Sequence, residues 1–187
     1  MTHLASSTGD FAFNWSPSGD WLAFAWSPSG DWLAFAAGDP GRPGLYQGLE
    51  VAHPDGSEHH RLSQDPVAAF YWSPDATRLA VVSIDTGARA LAWSVVTVDG
   101  KARRALSAFV PSSDFAFQLP FFDQYAQSTS IWSADGKRLL YGADSGSDRS
   151  NGSGQGEHVV VLDADGQASA AVVANGGAAV WSPPGTR

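Results

Sequence analysis

The chain contains no cysteine, and that absence removes disulfides, thiolate nucleophiles and cysteine-ligated zinc together. Basic residues are scarce too: 11 Lys and Arg stand against 19 Asp and Glu, for a net charge of −8. Phosphate backbones are held by clustered Lys and Arg, so nucleic acid is not an expected partner. No apolar run approaches the roughly 20 residues that cross a bilayer as a helix, so no membrane insertion is expected. The opening MTHLASSTGD has neither the basic start nor the apolar stretch of a signal peptide. Helical periodicity is sustained nowhere, which predicts no long helix. Gly-x-Ser-x-Gly, Walker and dinucleotide glycine patterns are all missing, and with them the usual sequence signs of a serine hydrolase or a nucleotide enzyme.

What the chain does have is apolar and turn-rich. Hydrophobic residues make up 43% of 187 positions and aromatics 12%, with 20 Gly and 11 Pro, a balance suited to many short strands joined by tight turns around one core. The eleven residues WSPSGDWLAFA stand at 15–25 and again, unchanged, at 26–36, so four of the 8 tryptophans fall in this stretch. Looser copies follow: AAFYWSPDATRLAV from Ala68, STSIWSADGKRLLY from Ser128, and GAAVWSPPGTR from Gly177. The repeat tryptophans are Trp15, Trp26, Trp72, Trp132 and Trp181. From Trp26 onward the steps between them are 46, 60 and 49 residues, which suits propeller blades of roughly 40–50 residues with an insertion in the middle one.

Each copy reads as a β-hairpin. Pro28 and Pro74 preset φ for the second turn position, the serine before each can bond the turn backbone, and Gly30 and Gly136 permit the left-handed residue that closes the turn. In Trp32, Leu33, Ala34, Phe35 and Ala36 both faces of the strand are apolar, which predicts sheets stacked face to face. Two further strands follow each hairpin: 45–53 and 59–63, then 90–98 and 102–107, then 158–162 and 168–173, each pair joined by an Asp-Gly or Pro-Asp-Gly turn. Four antiparallel strands per unit make a propeller blade.

These residues resemble the WD40-like PD40 repeats of TolB-type β-propellers, whose mark is a Trp-Ser-Pro-Asp-Gly turn, then a basic or polar pair, then Leu-Ala-Phe. Trp72-Ser73-Pro74-Asp75 with Arg78-Leu79-Ala80-Val81 matches, as does Trp132-Ser133-Ala134-Asp135-Gly136-Lys137-Arg138-Leu139; Trp26-Ser27-Pro28-Ser29-Gly30 matches with Ser for Asp. The resemblance implies an all-β, incomplete propeller of about three full blades and partial ones, working outside the cytoplasm, in the periplasm or cell envelope. The expected boundaries are an extra hairpin over 1–25 from the duplication, blades over 26–71, 72–131 and 132–180, an insertion at 111–125, and the start of a truncated blade at 181–187. Because the two copies at 15–36 are identical, their registers compete, and a surplus strand is expected over 11–15.

Candidate chemistry is sparse. Glu58, His59 and His60, with His53 near, suggest a metal site, but adjacent strand residues point to opposite faces, so an exposed strand start is expected and no metal. The polar stretch 144–157 has the oxygen ligands of a calcium loop, yet Gly146 stands where an EF-hand requires Asp, so it reads as a long inter-strand loop. Asp163 and Asp165 belong to an ordinary hairpin turn. No catalytic set and no cofactor are expected. The segment that leaves the blade pattern is 114–125, with five aromatics in twelve residues and Pro120 breaking the strand. It is expected as a loop feeding an inner strand at one mouth of the channel. Phe121, Phe122, Asp123, Gln124 and Tyr125 there are either a recognition surface or a plug between two blades. The expected function is a non-catalytic binding or scaffold propeller whose partner is a protein or further copies of itself; the alternative is the regulatory propeller of a larger prolyl-oligopeptidase-like serine hydrolase.

Overall fold

The computed structural model describes residues 22–39, 45–85, 90–122, 130–145 and 156–182. The expected strand 11–15, Trp15 and the rest of the first copy of the duplicated unit as far as residue 21, most of the loop 144–157 and residues 183–187 lie outside the described residues.

Three meanders follow one another. The first is β1 (Leu22–Trp26), β2 (Leu33–Gly38), β3 (Tyr46–Ala52) and β4 (His60–Ser63), each antiparallel to the last. The second is β5 (Val67–Trp72), β6 (Arg78–Asp85), β7 (Ala90–Thr97) and β8 (Arg103–Phe109). The third is β9 (Arg138–Asp144), β10 (Glu157–Asp163) and β11 (Ala171–Asn175), its inner edge completed by bridges at Pro111 and Trp132. A single bridge, Tyr46 to Val67, ties the first meander to the second. These are antiparallel β-propeller blades, here called blades 1, 2 and 3, and no sheet among the described residues closes on itself.

The hairpin turn is built three times from the same contacts. Ser27, Ser73 and Ser133 each donate N–H to the carbonyl five residues on, at 2.9 Å. Each hydroxyl accepts the N–H of that same residue, Trp32, Arg78 or Arg138, at 3.0 Å. All three serines are buried, so the hydroxyl substitutes for water in closing the loop. Asp75 and Asp135 stiffen their turns by accepting from Ser73 and Ser133 at 2.6 Å, and from the N–H two residues on.

The left-handed turn position is Gly30 in the turn after Ser27 (φ 78°) and Gly136 in that after Ser133 (φ 67°), but Ala76 in that after Ser73 (φ 60°). A Cβ there sits against the following carbonyl, at a cost of about 1 kcal/mol. Ala76→Gly is therefore expected to raise the melting temperature by about 2–4 °C, read by thermal circular dichroism. A lower melting temperature would mean that the methyl, buried against its neighbours, contributes more than the strain costs.

Two-faced burial holds for β5, where every residue is buried, but not for β2, where Ala34 and Ala36 are buried while Leu33 and Phe35 are half-exposed. The reason is position: blade 2 lies between two others, and blade 1 has a described neighbour on one side only. The insertion also differs from the expected loop. It forms a short helix, α1 (Ser113–Gln118), with Ser112 as its N-cap, followed by a 3-10 turn over Leu119–Phe121 with Pro120 in its first turn. Proline lacks only a donor that a helix start leaves unpaired anyway, so it extends the helical path here.

Candidate functional site

The insertion interrupts the inner strand of blade 3. In blade 2 that strand is continuous, with Val67, Ala69, Phe70, Tyr71 and Trp72 paired in turn along β6. In blade 3, Pro111 bridges Ala143, Ser112 donates to the Gly142 carbonyl at 3.2 Å, and the chain then leaves the sheet. It returns at Ile131, whose carbonyl accepts from Leu140 at 2.8 Å, and at Trp132, which bridges Leu139. Tyr141 is left as the β9 position between the two halves, where blade 2 sets buried Phe70 opposite Val81.

The aromatics of the insertion divide into two sets. Phe122 is 1% exposed and meets Phe70 edge-on at 4.7 Å, with Tyr46 and Tyr71 each at 5.8 Å. Phe115 is buried among Trp93, Phe109 and Tyr141. Phe117 and Phe121 face outward, 73% and 42% exposed, their rings 6.0 Å apart. One helical turn thus presents two rings to solvent while its other face anchors the insertion. Of the five residues expected to form a surface, Phe122 is part of the plug and Phe121 is on the surface; Asp123, Gln124 and Tyr125 lie outside the described residues.

Beside this helix is a cavity of about 50 Å³, lined by Tyr71, Phe115, Phe122, Ile131, Leu140 and Tyr141, with residues 177–180 across it. Burial pushes the Tyr71 hydroxyl well above the ordinary phenol range. Residues 177–180 are pinned at one end by Ser112 Oγ, which donates to the Gly177 carbonyl at 2.5 Å. The other pin is the Trp181 indole, donating to the Ile131 carbonyl at 3.0 Å. On the rim, Glu157 accepts from the Ser113 hydroxyl at 2.5 Å and N–H at 2.7 Å, contacts that hold its carboxyl below the usual range.

The repeat tryptophans join the blades. Trp72 Nε1 donates to the Ala25 carbonyl at 2.9 Å and Trp132 Nε1 to the Tyr71 carbonyl at 3.0 Å, each reaching the residue before the tryptophan of the preceding repeat. Trp181, bonded to Ile131, repeats the step. Arg78 adds a clamp between blades 2 and 3: its guanidinium lies 5.3 Å from the Trp132 ring centre and donates to the Gly136 carbonyl at 2.7 Å and Asp165 at 2.8 Å. Pro28, Pro74, Gly30 and Gly136 occupy the turns ahead of these contacts. Neither the tryptophan bonds nor the arginine clamp is spelled out by the repeat motif itself. The available signal was a tryptophan at the same position of every copy, since a buried indole needs an acceptor.

The histidines separate as strand geometry requires. His59 faces Glu50 at 2.5 Å and stacks on Phe35, whereas His53 and His60 flank Trp32, at 4.0 and 5.8 Å between ring centres. Among the described residues no group of three metal-ligating side chains converges. Burial works against ionisation of Glu50, but hydrogen bonds from Arg61 and His59 outweigh it and hold the carboxyl below its usual range. Turn hydrogen bonds lower Asp55, Asp135 and Asp99 likewise, the last to about 2, led by the hydroxyls of Ser57, Ser133 and Thr97 respectively. A carboxylate whose folded pKa lies below its unfolded one stabilises the fold above the ordinary value near 4, and that contribution is lost as pH falls through the folded value. The melting temperature is accordingly expected to drop between about pH 4 and pH 2. Asp99→Asn combined with Asp135→Asn should flatten that acid limb, and an unchanged limb would remove the turn aspartates as its cause.

Such stacked four-stranded units, with indole bonds between neighbours, define a β-propeller module. Solved structures agree. The β-propeller domain of the Trilobed protease from Pyrococcus furiosus superposes with a TM-score of 0.51 at 9% identity, over 80% of this chain and 41% of that one. The tricorn protease gives 0.52 at 12% identity, over 81% and 14%. The acylaminoacyl peptidase of Pyrococcus horikoshii gives 0.51 at 13% identity, over 80% and 24%. This chain therefore spans less than half the length of each, and the likeness is one of fold. No protein-family model and no curated protein sequence matches it. No helix among the described residues is long and apolar enough to cross a membrane.

Proposed function

We propose that this chain is a non-catalytic β-propeller module of the PD40, TolB-like kind that binds a protein partner through the helix inserted in blade 3. The observation that carries the reading is the Phe117–Phe121 pair, two rings held in solvent by a helix whose other aromatics are fixed in the core. Exposed aromatics on a rigid support bind with little ordering entropy, and they are the side chains on which interface energy concentrates. The Trp-Ser-Pro-Asp turns, in their resemblance to TolB-type repeats, support a place outside the cytoplasm.

The test is site-specific crosslinking. With benzoylphenylalanine at position 117, irradiation in the native host is expected to give a discrete protein adduct. Phe117→Asp with Phe121→Asp should weaken capture of that same adduct partner at least tenfold, while these exposed substitutions change stability by no more than about 0.5 kcal/mol. An adduct indifferent to Phe121→Asp would reject this surface, and an adduct of the chain with itself would identify the partner as a second copy.

A second reading, the regulatory propeller of a serine hydrolase, is favoured by the peptidases among the solved structures of like fold. A Gly-x-Ser-x-Gly element in a continuous reading frame beyond this chain would decide for it.

A further inference from the structure

The interrupted strand offers more than a platform for two phenylalanines. We infer that the break in the inner strand of blade 3 seats one branched aliphatic side chain of a partner peptide, with Asp114 and Glu157 receiving a basic side chain beside it. This deepens the proposed function and rests on its reading of the insertion as a binding surface.

The first ground is the comparison of blades within the chain. Blade 2 fills the position opposite Val81 with Phe70, which is fully buried. In blade 3 the register that sets Trp132 against Leu139 and Ile131 against Leu140 brings the exposed Ser130 to that position, opposite Tyr141, while after Ser112 the chain leaves the sheet for α1. Serine does not fill the space that Phe70 takes in blade 2, and a cavity remains, lined by Tyr71, Phe115, Ser130, Ile131, Leu140 and Tyr141. Size then selects the occupant. An apolar cavity of about 150 Å³ holds a benzene ring, and this one is about 50 Å³. It excludes an aromatic ring and suits the tip of valine. Because the chain occupies the strand on both sides of the break, a side chain can enter but a through-running strand cannot.

The second ground is charge. An added Cβ at Gly177, a residue lining the cavity, would stand 2.6 Å from both Asp114 Oδ2 and Glu157 Oε2, so the two carboxylates converge on one point of the rim. Neither meets a cationic side chain among the described residues. Ser113 engages only Oε1 of Glu157, which leaves Oε2 for a partner. The occupant is thus a peptide in which a valine-like residue has a lysine or arginine next to it.

Fluorescence anisotropy with labelled pentapeptides tests this, using Ser-Lys-Val-Lys-Ser and versions with Gly or Phe for Val, or Glu for both Lys, in low salt. The Lys-Val-Lys peptide is expected to bind at least about tenfold more tightly than the Gly, the Phe and the Glu versions. Asp114→Asn with Glu157→Gln, which keeps an acceptor for Ser113, should abolish the preference for Lys over Glu while preserving that for Val over Gly. Binding that is absent at about 1 mM, that fails to prefer Val to both Gly and Phe, or that keeps its Lys preference in the double variant would overturn the inference. Failure here alongside a Phe121-dependent adduct from position 117 would leave the proposed function standing and remove only the seat.

Discussion

Alanine at Gly142 is expected to lower the melting temperature by about 6–12 °C, corresponding to a loss of about 3 kcal/mol in a domain of this size. Backbone conformation is not the cause. A Cβ on Gly142 would stand 1.9 Å from the carbonyl oxygen of Gly177, 2.9 Å from its carbon and 2.3 Å from Ser112 Oγ. Two of those three atoms are backbone and cannot rotate aside. The third is held twice over, because Ser112 Oγ donates to the Gly177 carbonyl and accepts from Phe115 N–H as the cap of α1. A methyl group must therefore push residues 177–180 off β9, or unseat the start of the insertion helix, and either movement breaks the Ser112 bonds. Thermal denaturation followed by circular dichroism reads the effect. A melting temperature within 2 °C of the parent, on the same scale, would mean that residues 177–180 do not lie against β9, and the cavity they cover would go with them.

Much of the blade was legible because two independent signals coincide there. Trp72-Ser73-Pro74-Asp75 announces a turn through its own chemistry, and the steps between tryptophans announce a blade through their length. Where they agree, in blade 2, the strands expected over 90–98 and 102–107 fall within one or two residues of β7 and β8. The insertion was visible as a disturbance of the spacing, but its conformation was not. In the sequence Pro120 reads as a breaker of a strand, whereas it stands at the start of a 3-10 turn. Local propensity does not say which side of an element a proline will meet. The division of its aromatics was equally hidden: Phe121 and Phe122 are neighbours in sequence, and one is a core residue while the other is exposed. That difference is set by where Phe70 and Tyr71 of blade 2 stand, and no local pattern encodes it. The Arg78 clamp joins residues 58 and 87 positions apart, and Gly142 matters through a contact with Gly177. Both are consequences of stacking, which repeats fix in outline while leaving the particular partners to the tertiary structure.

The second large effect concerns the seam between blades 2 and 3. Trp132→Ala is expected to cost about 4 kcal/mol, lowering the melting temperature by about 8–16 °C. Trp132 is 1% exposed, so alanine would leave a cavity the size of an indole between two sheets. It would also strand the Tyr71 carbonyl, which accepts the indole N–H at 3.0 Å, and remove the ring over which Arg78 lies. Phenylalanine separates these contributions. Trp132→Phe keeps most of the apolar volume but leaves the carbonyl without its donor, which costs about 1–3 kcal/mol in a buried setting. Trp72→Phe should behave alike, since its bond to Ala25 is also buried. Trp181→Phe should cost less than about 1 kcal/mol, because its bond to Ile131 is only partly buried and water can replace it. Urea denaturation of the three variants provides the ranking. Equal losses at all three positions would show that the indole bond itself does not hold the blades together, and that the tryptophans act only as packing.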